Sequence, residues 1–264
     1  MGGKDGEATV RLPFQGSAPF YDLLYGGKDY VAEVESVSRH IRSAMPSART
    51  ILELGSGTGR HGRLLAEIGF HVHGIERSRE MADLARQADG ASSACAGSFT
   101  CEVGDLLTVR LRRKFDSVIA LFHVIGYQTT LPALTAAFRT ASCHLASGGL
   151  FIFDVWHGPA VLSQRPQIRS KEVEDARYHL CRTARPELDS NLSTVRVRYE
   201  ITGLDRNSGQ PIRLTEEHLM RYLFPDEVDL LARSSGLRRI GAEELLTGRS
   251  PSADTWSIAY LLSH

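Results

Sequence analysis

The sequence predicts an α/β fold in which a mostly parallel sheet carries a separate antiparallel β insert. Residues 49–155 alternate short apolar runs with amphipathic helical patterns, as in successive βαβ units. Residues 167–224 instead read as a meander of four alternating strands, 168–173, 178–183, 194–202 and 212–223, with a hairpin turn at 205–209, which is typical of antiparallel strands. A last apolar run, 255–262, predicts the final strand.

The first predicted strand, 51–54, runs directly into a glycine-rich turn. Glycines occupy positions 55, 57 and 59, and a helical pattern starts at Arg60. Glycine lets a strand turn sharply into a helix while a ligand touches the backbone, and the helix offers free N–H groups there. The dinucleotide-binding fingerprint is excluded, because it needs a third glycine where this sequence has Arg60. A Walker-type phosphate loop is excluded too, because no Gly-Lys-Ser/Thr follows. The alternative is a turn that binds nothing.

An acidic residue, Glu76, ends the second predicted strand, 71–76. In nucleoside-binding βαβ folds, a carboxylate about 20 residues past the loop hydrogen-bonds the ribose hydroxyls. The alternative is a helix-capping acid, but Ser78 is the better N-cap for the next helix. The spacing therefore favours a ribose contact by Glu76.

Two further strands follow the same scheme. Gly104, Asp105 and Leu106 close the third strand, and 115–123 read as a buried parallel strand. The order of these features resembles that of the class I S-adenosylmethionine (SAM)-dependent methyltransferases. The features are Glu53 two residues before the first glycine, the glycine loop, the acids Glu76 and Asp105, and the strand 115–123. The resemblance implies a Rossmann-like sheet and SAM as cofactor, with Asp105 on the adenine amino group. The expected cofactor-binding residues are Tyr25, Lys28, Glu53, Gly55, Ser56, Gly57, Thr58, Gly59, Glu76, Arg77, Met81, Gly104, Asp105, Leu106 and Leu121.

The N-terminal segment 20–30 resembles the lid of the nucleotide-amino-sugar N-methyltransferases. In those enzymes, a tyrosine at the place of Tyr25 closes over the cofactor near its sulfonium, where an aromatic ring suits a cation. The alternative is that Tyr21, Leu24 and Tyr25 form only the apolar face of a short helix.

Residues 122–127 follow the fourth strand and supply two further catalytic candidates beside Tyr25. His123 is the expected general base, because an ordinary imidazole suits proton removal near neutral pH. Tyr127 is the second candidate for the base, and together with Tyr25 it is expected to have an orienting role. The alternative is that His123 only anchors a turn.

Acceptor contacts are expected from Trp156 and His157, directly after strand five, and from Arg221 in the insert. The nucleotide-amino-sugar enzymes also carry aromatic residues at this place, so the resemblance implies that Trp156 lines the acceptor pocket. His157 is either a second base or a turn residue. On the strand that carries Arg221, alternation places Glu217 on the same face and Glu216 and His218 on the other. An exposed charge pair is the favoured interpretation of these side chains, and the alternative is that one face reaches the pocket.

Composition limits the classes of partner. Lys+Arg and Asp+Glu both number 31, so the net charge is zero, which argues against a nucleic-acid partner. The four cysteines show no paired spacing, so we expect reduced thiols, no metal site and a cytoplasmic protein. No apolar run has the length of a membrane span, so no membrane partner is expected.

These observations divide the chain into a flexible N-terminus (1–16), a SAM-binding core (17–155), a β insert (156–224) and a C-terminal helix with a closing hairpin (225–264). The insert is expected to cover the acceptor site and to offer a surface for a homodimer. The predicted function is methyl transfer from SAM to an amine or hydroxyl of a small polar metabolite such as a sugar or nucleotide-sugar. The alternatives are an RNA or protein methyltransferase and a catalytically silent SAM-binding scaffold.

Overall fold

A computed structural model describes residues 13–14, 16–87 and 96–264, so most of the predicted N-terminal segment 1–16 lies outside the described residues. The described residues form a seven-stranded sheet and a separate four-stranded sheet. This architecture confirms the predicted α/β class with an antiparallel insert.

The described helices are α1 (Tyr21–Leu24), α2 (Tyr30–Ala44), α3 (Arg60–Glu67), α4 (Arg79–Gln87), α5 (Leu131–His144), α6 (Gly158–Gln164) and α7 (Pro225–Ser234). The strands are β1 (Thr50–Leu54), β2 (His71–Glu76), β3 (Ser98–Val103), β4 (Phe115–Ala120), β5 (Leu145–Trp156), β6 (Arg169–Glu174), β7 (Tyr178–Asp189), β8 (Thr194–Asp205), β9 (Pro211–Arg221), β10 (Arg238–Glu244) and β11 (Ser257–Ser263).

The large sheet has the strand order β10-β11-β5-β4-β1-β2-β3. Strands β1 to β5 pair in parallel, whereas β11 pairs antiparallel to β5 and β10 antiparallel to β11. The chain moves outward from β1 in both directions, to β2 on one side and β4 on the other. In open α/β sheets, ligands bind at the carboxyl ends of the strands at such a reversal.

Apolar side chains cover both faces of this sheet and explain why the elements form. Helix α2 begins where the Asp29 carboxylate accepts the Ala32 N–H, 2.9 Å away, and it buries Val34, Val37 and Ile41 against one face. A second cluster, including Phe138 of α5, fills the other face. The sheet is therefore buried on both sides, as parallel sheets require.

The four-stranded insert follows its predicted meander but has longer strands. The sequence predicted that the second strand ends at residue 183, whereas β7 continues to Asp189 through Pro186. This is possible because β6 pairs with β7 only as far as Ala184, so the missing N–H of Pro186 breaks no ladder on that side. The predicted 205–209 turn is confirmed, with Gly209 at φ +68° and its N–H donating to the Asp205 carbonyl.

The insert packs against the N-terminal helix α1. Leu24 of α1 lies in one apolar cluster with Leu180 and Ile201 of the insert, and the Phe20 and Tyr178 rings meet edge to face at 5.0 Å. Helix α1 and the insert therefore cover the carboxyl edge of the large sheet together. Among the described residues, none of the helices combines the length and apolar character that a membrane crossing requires.

Candidate active site

A cavity of about 500 Å³ lies at the carboxyl ends of β1, β2 and β4, beneath helix α1 and the insert. Its size is within the range of small-molecule sites. The predicted residues that line it are Tyr25, Gly55, Ser56, Gly57, Thr58, Glu76, Arg77, Met81, Gly104, Asp105, Leu106, Leu121, His123, Tyr127 and Trp156. The predicted residues that lie outside its lining are Lys28, Glu53, Gly59, His157 and Arg221.

The glycine loop after β1 needs its glycines for two different reasons. Gly55, Gly57 and Gly59 all have positive φ, between 56° and 79°. A Cβ on Gly55 would stand 2.6 Å from a methyl carbon of Val124, so that position also requires close approach of the loop after β4. Gly59 instead packs against the Phe99 ring as the N-cap of α3, which explains why it lies outside the cavity.

Glu76 joins the end of β2 to the glycine loop. One carboxylate oxygen accepts the Gly57 N–H at 2.9 Å, and the other accepts the Ser78 N–H at 2.8 Å. Burial raises the pKa of Glu76, while these backbone hydrogen bonds oppose the rise. Glu76 therefore presents a fixed acceptor group to the cavity.

Asp105, Leu106 and Met81 form the opposite end of the cavity. Asp105 is held by its own turn, where Oδ1 accepts the Leu107 N–H at 2.8 Å. Met81 is buried, and Leu106 packs on the main core. This end of the cavity thus combines one oriented carboxylate with apolar walls.

Glu53 lies behind the glycine loop and does not line the cavity. It is 2% exposed, and its Oε2 has no hydrogen-bond partner among the described residues. Burial, reinforced by the negative charge of Glu76 and partly offset by Arg63, raises its pKa to about 8. Glu53 lies outside the cavity lining, and its expected contact with the cofactor stays a prediction.

Lys28 also lies outside the main cavity. Its ammonium pairs with Glu33 and lies 4.7 Å from the centroid of the Phe122 ring. It lines a smaller neighbouring cavity together with His123 and Asp154. Lys28 therefore lies beside the loop after β4, and its expected contact with the cofactor stays a prediction.

The loop after β4 holds His123 in a constrained position. Phe122 and His123 are consecutive non-glycine residues with φ of 65° and 62°. Such residues store strain and cluster at functional sites. The His123 N–H points to the Asp154 carboxylate, 3.2 Å from each oxygen, and this contact helps to hold the strained turn.

Asp154 is a site residue that the sequence analysis did not identify. It lies in β5, is 1% exposed, and its Oδ2 approaches His123 Nδ1 to 2.7 Å. The approach is close but off the line of a straight hydrogen bond. Although burial acts to raise it, the neighbouring His123 holds the pKa of Asp154 below its usual range. The sequence signal that could have identified Asp154 is its position as an acid within the apolar run of β5.

Tyr25 closes the cavity from the N-terminal side. Its ring lies 5.0 Å from Phe122 and 4.8 Å from Tyr21, and burial raises its pKa. Tyr21 belongs to the short helix α1, so the two sequence interpretations of this segment are compatible.

Arg182 of β7 is a second site residue that the sequence analysis missed. Its guanidinium lies 4.9 Å from the Tyr25 ring and 5.0 Å from the Tyr199 ring. Its Nε and Nη1 are buried without a hydrogen-bond partner among the described residues. Arg182 and Arg169, which lies on β6, both line the cavity, so the insert brings two cations to it.

Tyr127 contacts a buried pair on β9. Its hydroxyl lies 2.8 Å from His218 Nδ1, and His218 Nε2 lies 3.3 Å from Glu216 Oε2. The predicted alternation along this strand is confirmed, since Glu217 on the opposite face forms an exposed ion pair with Arg196. The expected exposed charge pair is wrong for Glu216 and His218, which are buried.

His157 and Arg221 do not reach the cavity. His157 is buried where its N–H donates to the Trp256 carbonyl, which corresponds to the turn alternative. Arg221 pairs with Glu227 of α7 at 2.7 Å and donates to the Thr129 carbonyl. Their roles as acceptor contacts stay predictions that this geometry does not favour, whereas Trp156 lines the cavity, 5.9 Å from the His123 ring.

Comparison with known proteins identifies this arrangement. Residues 51–149, from β1 into β5, match the family model described as a methyltransferase domain. The chain carries a methyltransferase domain. The methyltransferase is 27% identical over 224 residues to the dTDP-3-amino-3,4,6-trideoxy-α-D-glucopyranose N,N-dimethyltransferase of Streptomyces venezuelae, covering 84% of this chain and 90% of the relative.

Solved structures agree on the fold. A SAM-dependent methyltransferase from Clostridium acetobutylicum superposes with a TM-score of 0.79 at 19% identity, covering 94% of this chain and 96% of the other. An amino pentose methyltransferase from Micromonospora echinaspora, solved with SAM bound, gives 0.72 at 25% identity, covering 95% and 98%. The fold is thus that of the class I methyltransferases.

SAM is the cofactor of the methyltransferase, and the cavity fits it. Gly57 leaves room for a ligand, since a Cβ there would have only the Met81 methyl carbon within 4 Å. Helix α3 begins beside this loop without a side-chain cap, so its first N–H groups are free for polar ligand atoms. Glu76 and Asp105 add two carboxylates, which match a ligand that carries hydroxyl, amino and sulfonium groups.

Proposed function

We propose that this methyltransferase transfers a methyl group from SAM to the amine of a sugar carried on a nucleotide. The observation that carries the proposal is His123, held by the buried Asp154 in the wall of a cavity that fits SAM. The acceptor class is supported by the name of the Streptomyces venezuelae relative, which acts on a dTDP-linked amino sugar.

When bound, SAM supplies the methyl group from its sulfonium. We assign the ribose hydroxyls to Glu76, the adenine amino group to Asp105, and the methionine end to the loop 55–59. Leu106, Met81 and Leu121 then pack on the adenine ring as apolar walls. Glu53 supports the loop from behind.

His123 accepts the proton that the sugar ammonium must lose before its nitrogen becomes a nucleophile. The Asp154 carboxylate faces Nδ1, which keeps the proton on that nitrogen and leaves Nε2 as the proton acceptor. Asp154 then stabilises the imidazolium that forms, as the acid of a catalytic triad does.

Aromatic side chains position the acceptor and exclude water. Tyr25, Tyr127 and Trp156 line the cavity around His123. Because in-line transfer needs the nitrogen about 3 Å from the methyl carbon, a rigid aromatic wall contributes by restricting the pose of the sugar.

The two arginines of the insert support an anionic acceptor. A buried guanidinium without a partner is costly unless a ligand supplies an anion. Arg182 provides such a group, and Arg169 lines the same cavity. The diphosphate of a nucleotide-sugar matches these cations, because arginine binds phosphate oxygens in a bidentate manner.

We further propose that the insert 156–224 covers the acceptor, that the core 17–155 holds the cofactor, and that the unit 225–264 completes the core with its helix and closing hairpin. The cytoplasmic location stays a proposal, supported by the described cysteines Cys101, Cys143 and Cys181, which are free thiols. The homodimer through the insert is also a proposal, which light scattering of the purified protein tests.

Incubation with methyl-labelled SAM tests the function. The probes are dTDP-3-amino-3,4,6-trideoxy-α-D-glucopyranose, total RNA and a protein lysate. We expect label on the amino sugar alone. Label on RNA or protein would show that the acceptor is not an amino sugar. SAM binding without any labelled product would show that the protein is a catalytically silent scaffold.

A further inference from the structure

A chain of three side chains leads from the cavity into the insert. Tyr127 lines the cavity, its hydroxyl reaches His218 Nδ1 at 2.8 Å, and His218 Nε2 reaches Glu216 Oε2 at 3.3 Å. His218 and Glu216 are 3% and 1% exposed and do not line the cavity themselves. Of these three side chains, Tyr127 is therefore the one that a ligand in the cavity can touch.

We propose that Tyr127, His218 and Glu216 form a second proton-accepting route for the acceptor, separate from His123 and Asp154. This inference rests on the proposed function, because it concerns the proton that the acceptor amine releases. Tyr127 is the catalytic member, and His218 and Glu216 are positioning residues that act through it.

Glu216 is fixed as a carboxylate. It accepts the N–H groups of Phe14, Gly16 and Ser17 at 3.3, 3.0 and 2.8 Å, and the Ser17 hydroxyl at 2.7 Å. Although burial acts to raise it, hydrogen bonds from His218 and Ser17 hold the pKa of Glu216 below its usual range. A carboxylate needs a donor at His218 Nε2, so the proton of the neutral imidazole belongs there.

This tautomer sets the direction of the hydrogen bonds. With Nε2 protonated, His218 Nδ1 is an acceptor, and Tyr127 must donate its hydroxyl proton to it. The remaining lone pairs of the Tyr127 oxygen are then free to accept a hydrogen bond from an ammonium in the cavity. Burial raises the pKa of Tyr127 well above its usual range, so Tyr127 is a phenol and not a phenolate before the reaction.

The proton transfer balances without another reactant. An N–H bond of the acceptor ammonium breaks and an O–H bond forms on Tyr127, while the original O–H bond breaks and an N–H bond forms at His218 Nδ1. The acceptor becomes a neutral amine, and His218 becomes an imidazolium beside the Glu216 carboxylate. The relay resets after product release, when His218 Nδ1 returns its proton to the Tyr127 oxygen and the Tyr127 hydroxyl passes its own proton to water in the cavity.

Two aromatic rings also pack against His218. The Tyr199 ring of β8 lies 4.8 Å from the imidazole, and Phe14 packs edge to face at 5.1 Å from the N-terminal side. The Arg182 guanidinium lies 5.0 Å from the centroid of the Tyr199 ring. Glu216 is thus the charge that directly faces His218.

The first test needs no acceptor. Nitrogen NMR of histidine-labelled protein should show His218 protonated at Nε2 with Nδ1 as a hydrogen-bond acceptor, and Tyr127→Phe should remove that bond. A His218 proton on Nδ1 would overturn the relay, because Tyr127 would then have no acceptor.

The second test uses SAM and the amino sugar named for the Streptomyces venezuelae relative. His218→Asn keeps an acceptor oxygen near the place of Nδ1 but cannot take a proton. We expect kcat to fall about 10²-fold and its acid-side pH dependence to change, with the Kd of SAM unchanged. Glu217→Gln, on the exposed face of the same strand, is the matched control.

Coupling between the two residues completes the test. The Tyr127→Phe and His218→Asn effects should not multiply, so the double variant should be no slower than the slower single variant. Multiplying effects, or a His218→Asn pH profile like that of Glu217→Gln, would overturn the relay. If the unchanged enzyme methylates no amino sugar, the proposed function fails, and the His218 tautomer alone decides the relay.

Discussion

The imidazole Nδ1 of His123 lies 2.7 Å from the carboxylate oxygen Oδ2 of Asp154. The two residues come from neighbouring strands, since His123 follows β4 and Asp154 lies within β5. The parallel pairing brings the acid beneath the loop that carries the base. This pair gives the cavity an oriented imidazole, and the proposed base role of His123 rests on it.

Asp154→Asn should therefore lower kcat by about 10²-fold or more, because the amide neither fixes the tautomer nor stabilises the imidazolium. The Kd of SAM should change little, since Asp154 does not line the main cavity. Steady-state kinetics and calorimetry separate the two effects. Asp83→Asn, on the exposed side of α4, is the control, and equal kcat in both variants would remove Asp154 from the mechanism.

Glu76→Gln should weaken SAM binding about 10- to 100-fold, the range for losing a hydrogen bond to a charged group. The substitution also weakens the contacts that tie β2 to Gly57 and Ser78. Isothermal titration calorimetry measures the change. Glu80→Gln, on the same helix–strand unit but exposed, should bind like the unchanged protein. Equal affinities of the two variants would contradict the ribose assignment.

Gly55→Ala and Gly209→Ala form a matched pair that separates backbone strain from steric overlap. Both glycines have φ near +70°, but a Cβ meets Val124 at Gly55 and nothing within 4 Å at Gly209. Gly209→Ala should cost about 1–2 kcal/mol of unfolding free energy for the left-handed backbone. Gly55→Ala should cost about 1–3 kcal/mol more for the overlap. Denaturant unfolding measures both, and equal losses would show that Val124 can move aside.

Glu53 should make the protein less stable as the pH rises. Burial raises its folded-state pKa to about 8, whereas an unfolded glutamate titrates near about 4.3. Between these values the unfolded chain has released the proton and the folded protein keeps it, so unfolding free energy falls by up to about 1.4 kcal/mol per pH unit.

Unfolding free energies at several pH values between about 5 and 8 test this linkage. Glu53→Gln should flatten the decline, whereas Glu67→Gln, at the exposed end of α3, should keep it. Parallel curves for Glu53→Gln and the unchanged protein would show that Glu53 is ionised in the folded state.

The sequence predicted the core of the fold because its evidence is local. The apolar runs of β1, which is followed by Gly55, and of β2, which ends in Glu76, fix both the strands and the edge at which they meet. The insert was harder, because Pro186 reads as the end of a strand. Only the position of β6 shows that the proline faces an unpaired edge.

The candidate site was predictable where a residue follows a strand directly. Gly55, Glu76, Asp105 and His123 all do so, and all line the cavity. His218 and Tyr127 meet across 91 residues of sequence, a contact that no local pattern contains.

The positions that long side chains reach were not predictable from the sequence, for a similar reason. Arg221 alternates toward a plausible face, but Glu227 of α7 pairs with it away from the cavity. Arg182, on a strand without any motif, reaches the cavity instead.

The position of the transferred methyl group tests the central claim most directly. Carbon-labelled SAM and the dTDP-linked amino sugar should yield a product in which NMR places the labelled methyl on the sugar nitrogen. His123→Asn should greatly slow its formation while SAM still binds. A methyl group on a hydroxyl oxygen, or bound SAM with no methylated sugar, would contradict amine methylation by this site.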